Sequence, residues 1–271
     1  MGLFTSTALY NYLPIVSGID PDAQAFITAA GISGSNATAI NTLVVDLKSY
    51  SLWDKMNVIY PFVGGTATTN KYNLKDPQDT DAAFRIQFNG TVTHNASGST
   101  GNGTNGWGRT YYIPSGSVTL NSEHISVYCN SNVANTTSDP VDIGSFITST
   151  QASTIALKTG NVYGSRMNAD AVTFSNSDSR GFFVSTKNGS TTLNLYENGT
   201  FQNSGTSAGS LPNINIALWN TVITFSNAPY NNGWTKNTFA FVSFGDGLSG
   251  TDVSNLYTAV QAYETTLVRQ V

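Results

Sequence analysis

The stretch from Thr238 to Leu267 constrains the fold more than any other, because its hydrophobic period changes midway. Phe239, Phe241, Ser243 and Gly245 alternate with Ala240, Val242 and Phe244, which is the pattern of a strand apolar on both faces. Beyond Gly245-Asp246-Gly247 the apolar positions become Val253, Leu256, Tyr257, Val260, Tyr263, Thr266 and Leu267, at helical spacing. The pattern predicts a doubly covered last strand feeding an amphipathic helix over residues 251–268, capped by Ser249 or Thr251. No cluster of ionisable residues accompanies it.

Upstream the chain divides by composition. Residues 1–20 read as extended, with Tyr10, Tyr12, Leu13, Pro14 and Ile15 showing no helical period. Asp20-Pro21-Asp22 predicts a helix to about Ala30, with Asp20 as cap and Pro21 at the first position. A second helix is expected from Asn36, with Ile40, Leu43, Val44, Leu47 and Tyr50 as its apolar stripe. Residues 1–57 are therefore expected to be an extended and helical attachment arm. From residue 58 to 271 short apolar segments alternate with Gly, Asn and Ser clusters. Strands are expected at 58–63, 83–89, 107–113, 122–129, 153–158, 170–175, 181–186, 192–197, 214–219, 221–225 and 237–245. Gly98 to Gly108 reads as an outward-reaching loop, and Asn198-Gly199 as a tight hairpin turn. The fold class this implies is mainly β, an antiparallel sandwich or barrel with helices at both ends.

Charge narrows the function. Charged residues are 10% of the chain, against roughly 25% in an average domain. Ser, Thr, Asn and Gly take their place. The net charge of −4, with twelve Lys and Arg scattered along the chain, argues against nucleic-acid binding, which needs a basic face. The lone cysteine, Cys129, reads as a small buried strand residue. No stretch approaches a membrane span, and the first residues do not read as a signal peptide.

Catalysis finds few candidates. Glycoside hydrolysis needs two carboxylates about 5–9 Å apart. The glutamates are Glu123, which has no acidic residue two to four positions away on its strand, Glu197, which reads as part of a hairpin turn, and Glu264, which reads as part of the final helix. Asp76, Asp79 and Asp81 form the densest acidic patch, read as a turn and as the place where calcium could sit; no other cofactor is expected. His94 and His124 lack a second ligand at metal spacing, and no nucleophile elbow is present. The chain is expected not to be an enzyme. Glycan binding asks less, namely stacked aromatics beside side-chain amides and carboxylates. Trp107, Tyr111, Tyr112, Tyr230 and Trp234 lie near Asn-Gly segments and are the candidate sugar contacts, with a plug or cover of the sandwich as the competing role.

The segment Leu193-Asn-Leu-Tyr-Glu-Asn-Gly-Thr-Phe201, with Phe239 to Tyr257, resembles the concanavalin A-like, laminin-G-like jelly-roll family. Val58 to Ala67, Lys71 to Pro77, Ala83 to Phe88, Gly103 to Gly106 and Leu256 to Ala262 are similar to sandwich domains of tailed-phage virion proteins, including tail and head fibres. The resemblance implies a lectin-like jelly roll over residues 58–271, virion localisation, a homo-oligomer, and other virion proteins contacted through the N-terminal arm. It also implies possible recognition of a host surface glycan, often calcium-assisted, at loop ends. It transfers no ligand residue.

Overall fold

The computed structural model describes residues 18–135, 137–223 and 228–271. The expected extended lead over residues 1–17 lies outside them. In chain order the elements are α1 (Pro21–Ala30), α2 (Gly34–Ser49), β1 (Met56–Tyr60), the single turn α3 (Ala67–Asn70), β2 (Gln87–Asn89), β3 (Val92–Asn95), β4 (Gly98–Gly101), β5 (Trp107–Arg109), the single turn α4 (Pro114–Ser117) and β6 (Ser122–Cys129). There follow β7 (Ile143–Thr148), β8 (Gln151–Thr159), β9 (Val162–Met167), β10 (Val172–Ser175), β11 (Gly181–Asn188), β12 (Thr192–Glu197), β13 (Thr200–Thr206), β14 (Ala217–Leu218), β15 (Asn220–Ile223), β16 (Ala228–Pro229), β17 (Thr238–Gly245) and α5 (Gly250–Thr266).

These strands make two sheets packed as a sandwich. One has eight strands in the order β13-β12-β11-β6-β17-β4-β3, with β1 also on β17. The other has nine, in the order β10-β9-β8-β7-β14-β5-β2, with β15 also on β7 and β16 on β15. Every pairing is antiparallel except that of β15 with β7. The mainly β sandwich expected from the strand pattern is what the chain forms. Among the described residues, no helix is long and apolar enough to cross a membrane.

Strand alternation sorts the central side chains into two cores. Ile125, Val127, Cys129, Phe183, Val242 and Phe244 point between the sheets. Tyr128, Phe182, Val184, Ala240 and Phe241 point the other way, into a second core made with α1, α2 and α5. Phe26, Leu43, Leu47, Leu256, Val260 and Tyr263 supply the helical side. A register shift between Phe239 and Phe241 breaks the simple alternation of β17. The molecule thus has three layers, and residues 18–57 are not a detached arm. Their two helices share a continuous core with the sandwich, so residue 57 is no boundary in packing. The physical reason is the double-sided hydrophobicity of β11 and β17, which leaves an apolar face that must be covered.

Local chemistry explains the helix ends. Asp20 caps α1 by accepting the Asp22 N–H at 2.9 Å, and Gly31, at φ 64°, ends it. Ser249, not Thr251, caps α5, in a reciprocal capping box with Asp252. Beyond α5 the buried Arg269 guanidinium forks the Glu264 carboxylate at 2.6 and 3.2 Å. It also donates to the carbonyls of Phe62, Pro61 and Ala240 at 2.8 to 3.0 Å. This binds the C-terminus to the exit of β1 and to β17.

Gly98 to Gly108 departs from expectation. It is not an outward loop throughout, because Gly98–Gly101 form β4 against β17. A Cβ on Gly98 would meet the Phe239 carbonyl oxygen at 2.1 Å, and one on Gly101 would meet the Trp219 Cβ at 2.7 Å. Glycine is there to admit close backbone approach, not flexibility. The expected strand 107–113 stops at Arg109 and 214–219 shrinks to Ala217–Leu218, with Tyr111 and Trp219 at φ 58° and 60°.

Two buried neighbours on β6 titrate in opposite senses. Glu123 faces the inter-sheet space, accepts from Ser153 Oγ at 2.6 Å and pairs across the ladder with Lys187. Burial pushes its carboxyl up to about 7. His124 faces the helical layer, where its Nδ1 donates to the Asp246 carbonyl at 2.6 Å and its Nε2 accepts from Ser243 at 3.0 Å. Burial pushes His124 down to about 4, so the imidazole is neutral. The Glu123 contribution is present at low pH and is lost as pH rises from 4.5 to about 7. The His124 contribution is present above 6.5 and is lost as pH falls to about 4. Between 4.5 and 6.5 their slopes oppose each other.

Two outcomes follow. Residues 58–271 expressed alone will bind a hydrophobic dye and melt without cooperativity, because half of the second core is gone; a sharp dye-free melt would contradict this. Glu123→Gln will gain stability relative to wild type as pH rises from 4.5 to about 7, by about 3 kcal/mol across that window, read by urea unfolding.

Candidate functional site

Helices cover one face of the eight-stranded sheet, and the nine-stranded sheet covers the other. The outer face of the nine-stranded sheet therefore remains for a site. On β8, Ser153 and Ile155 point inward, which turns Thr154 outward. On β9, Tyr163 and Met167 belong to the inter-sheet core, which turns Arg166 outward beside Thr154, its partner in register. The antiparallel pair of β15 and β16 raises a wall over this floor, with β15 along β7, Thr221 opposite Gly144 and Ile223 opposite Phe146.

The result is a groove of about 340 Å³ lined by Asp139, Phe146, Thr154, Arg166, Thr221 and Tyr230, with Val141, Ile147 and Ile223 as further apolar lining. This size suits one or a few sugar or metabolite rings. Tyr230 is held firmly. Its N–H donates to the Asn220 Oδ1 at 2.9 Å and to the Thr221 carbonyl at 2.9 Å, and Asn220 Nδ2 returns a bond to the Tyr230 carbonyl at 3.1 Å. Val141 N–H donates to the Gly233 carbonyl at 3.1 Å, tying the Asp139 segment to the same turn. Arg166 lies 6.0 Å from the centre of the Phe146 ring. A larger cleft of about 560 Å³ separates the start of α2 from the C-terminus, but the one charged side chain among its described lining residues, Arg269, is spent on Glu264 and backbone carbonyls.

The five aromatics singled out in the sequence do not form one platform. Tyr230 lines the groove. Trp107 is 9% exposed and packs with Ile214, Ala217 and Val222 in a small cluster, against which the half-buried Trp234 also packs. These two underpin that wall. Tyr111, half-buried, donates its hydroxyl to Gln87 Oε1 at 2.7 Å, and Arg109 lies 5.7 Å from the rings of both Trp107 and Tyr111. Tyr112 is a correction: it is 1% exposed, stacked 5.4 Å from Phe244, and belongs to the inter-sheet core. The turn at Tyr111 rotates its neighbour inward. Arg166, Phe146, Thr154, Thr221 and Asp139 are not among the site residues expected from the sequence. Period-two alternation in Val162–Met167 places Tyr163 and Met167 opposite Arg166 and was the signal available.

The remaining acids and histidines are engaged elsewhere. Asp79 faces Lys71 and Arg85, and Asp81 faces Arg85 at 2.9 Å, so these carboxylates meet cations in a surface network. The Lys71 ammonium beside Asp79 holds that carboxyl below its usual value. Glu123 and Glu264 are buried. His94 accepts or donates to Ser99 Oγ at 2.8 Å and meets Phe88 edge-on. Among the described residues, no three His, Cys, Asp or Glu side chains are grouped to hold a metal ion.

No family model matches the chain, and no curated protein matches it. Among solved structures it is similar to the binding domain of botulinum neurotoxin serotype D, at 11% identity and TM-score 0.49, over 77% of this chain and 52% of that one. It is similar to the binding domain of botulinum neurotoxin DC in complex with rat synaptotagmin II, at 12% identity and TM-score 0.47, over 77% and 52%. Domain 4 of AbnA, a GH43 extracellular arabinanase from Geobacillus stearothermophilus solved with arabinotriose, overlays at 15% identity and TM-score 0.47, over 74% and 98%. The chain spans about half the length of the toxin domains it matches.

Proposed function

We propose that this protein is a non-catalytic carbohydrate-binding sandwich whose groove on the nine-stranded sheet takes a sugar. The groove's chemistry carries the reading. Tyr230 and Phe146 offer apolar ring faces for sugar C–H groups. Thr154, Thr221, Asp139 and Arg166 offer donors and acceptors for hydroxyls around the same space. Among the described residues, Asp139 is the one carboxylate lining the groove, whereas hydrolysis by the usual route takes two. Binding, not bond cleavage, suits that arrangement. A glycan array probed with the whole protein will show retained sugars. Tyr230→Ala will weaken the strongest of them about tenfold or more while thermal unfolding stays near wild type; undiminished binding by the variant would remove the groove from the reading.

We propose further that the module is a structural protein of a tailed-phage virion, carried in several copies. Support comes from the resemblance of Val58 to Ala67, Lys71 to Pro77 and Leu256 to Ala262 to virion sandwich domains, and from a surface rich in uncharged polar residues. Since α1 and α2 are part of the body, attachment to other virion proteins falls to residues 1–17. A chain lacking residues 1–17 will still melt cooperatively and will fail to join particles in a complementation assay. Normal incorporation of that chain would refute the attachment role.

A further inference from the structure

Arg166 has an unusual position among the five arginines. Arg180 forks Asp178 at 2.7 to 3.1 Å, Arg85 meets Asp79 and Asp81 at 2.9 to 3.1 Å, and Arg269 forks Glu264 at 2.6 and 3.2 Å. Arg109 lies between the Trp107 and Tyr111 rings. Arg166 approaches one carboxylate among the described residues, that of Asp170. The separation is 3.7 Å, beyond hydrogen-bond length, and the Asp170 side chain is 94% exposed. A surface pair of this kind contributes little and is readily exchanged for a better acceptor. Meanwhile Arg166 lines the groove and lies over Phe146, which restricts its side chain without consuming its N–H donors.

We infer that the sugar in this groove carries a carboxylate, so that the ligand class is a uronic acid within an acidic polysaccharide, and that Arg166 forks that carboxylate. The inference rests on the carbohydrate reading of the groove and adds the identity of the charged group. A guanidinium presents two parallel N–H donors whose spacing matches the two oxygens of a carboxylate. Tyr230 and Thr154 then serve the ring and its hydroxyls, and Asp139 accepts from hydroxyls on the sugar. The net charge of −4 gives no long-range attraction for a polyanion, so selectivity has to arise from this local contact.

The test uses the whole protein and tetrasaccharides of galacturonate, glucuronate and mannuronate, each beside its carboxyl-reduced neutral counterpart and a sulfated neutral tetrasaccharide, by isothermal titration calorimetry. At least one uronate will bind about tenfold or more tighter than its reduced counterpart. Arg166→Gln, with unchanged thermal unfolding, will erase that preference, and Arg166→Lys will restore it only in part. Equal binding of a uronate and its reduced form would overturn the inference while leaving the carbohydrate reading intact. Preference for the sulfated sugar over every uronate would overturn the carboxylate assignment. A preference that survives in Arg166→Gln would overturn the role of Arg166. Failure of all the sugars to bind at millimolar concentration would overturn both readings.

Discussion

A sheet that is apolar on both faces has to be covered twice, and the rest of this structure follows from that requirement. In β11, Phe182 and Val184 face one side and Phe183 the other; in β17, Phe241 faces one side and Val242 and Phe244 the other. Each of these side chains is fully buried, at roughly 1.5–3 kcal/mol apiece relative to exposure. A sandwich partner covers only one of the two faces. The helices α1, α2 and α5 cover the second, although they come from opposite ends of the chain. Among the described residues the nine-stranded sheet has no such second cover, and its outer face is where side chains can meet a ligand.

Most polar groups inside such a fold find partners, because an unpaired one costs free energy. Glu123 and His124 are adjacent on β6, yet face different cores because strand alternation sends them to opposite sides. Their titrations therefore act on two different layers while opposing each other in pH. Ser126 and Ser243 extend the His124 network, with their hydroxyls 2.7 Å apart. Arg269 does similar service at the chain end, where four backbone carbonyls and a carboxylate replace the water it loses. These contacts join layers that apolar packing alone would leave free to slide.

Much of the architecture was legible because it is periodic. β6, β11, β12, β17 and α5 appear close to where alternation and helical spacing put them. The helices α1 and α2 were legible as helices but not as part of the core, since an apolar stripe states that it needs a partner and not which one. β4 was hidden because glycine was read as loop chemistry, when its role is to let backbone approach Phe239 and Trp219. β7 was hidden too: Ile143-Gly-Ser-Phe-Ile-Thr148 has a glycine and a serine where the ladder is tightest. The candidate site was less legible for the same reason. Its floor and wall stand on β7, β8, β9 and the β15–β16 pair, and neither β7 nor β9 is among the strands expected from the sequence. Of the five aromatics expected to hold sugar, Tyr230 alone is in the groove, because aromatic residues near turns serve packing as readily as binding.

The groove's floor and one wall stand on strand ladders, so their geometry is fixed by register. The parallel pairing of β15 with β7 sets Thr221 against Gly144 and Ile223 against Phe146. A Cβ at Gly144 would lie 2.7 Å from the Thr154 methyl, so the absence of a side chain there is what lets Thr154 keep its place in the lining. Asn220 then copies a strand's donor and acceptor to hold Tyr230 across the turn. A site assembled this way has little freedom to reshape around a ligand, and so loses little entropy on binding. Its selectivity must come from the few side chains that reach above the ladder, with Arg166 the one positive charge among the described residues that line the groove.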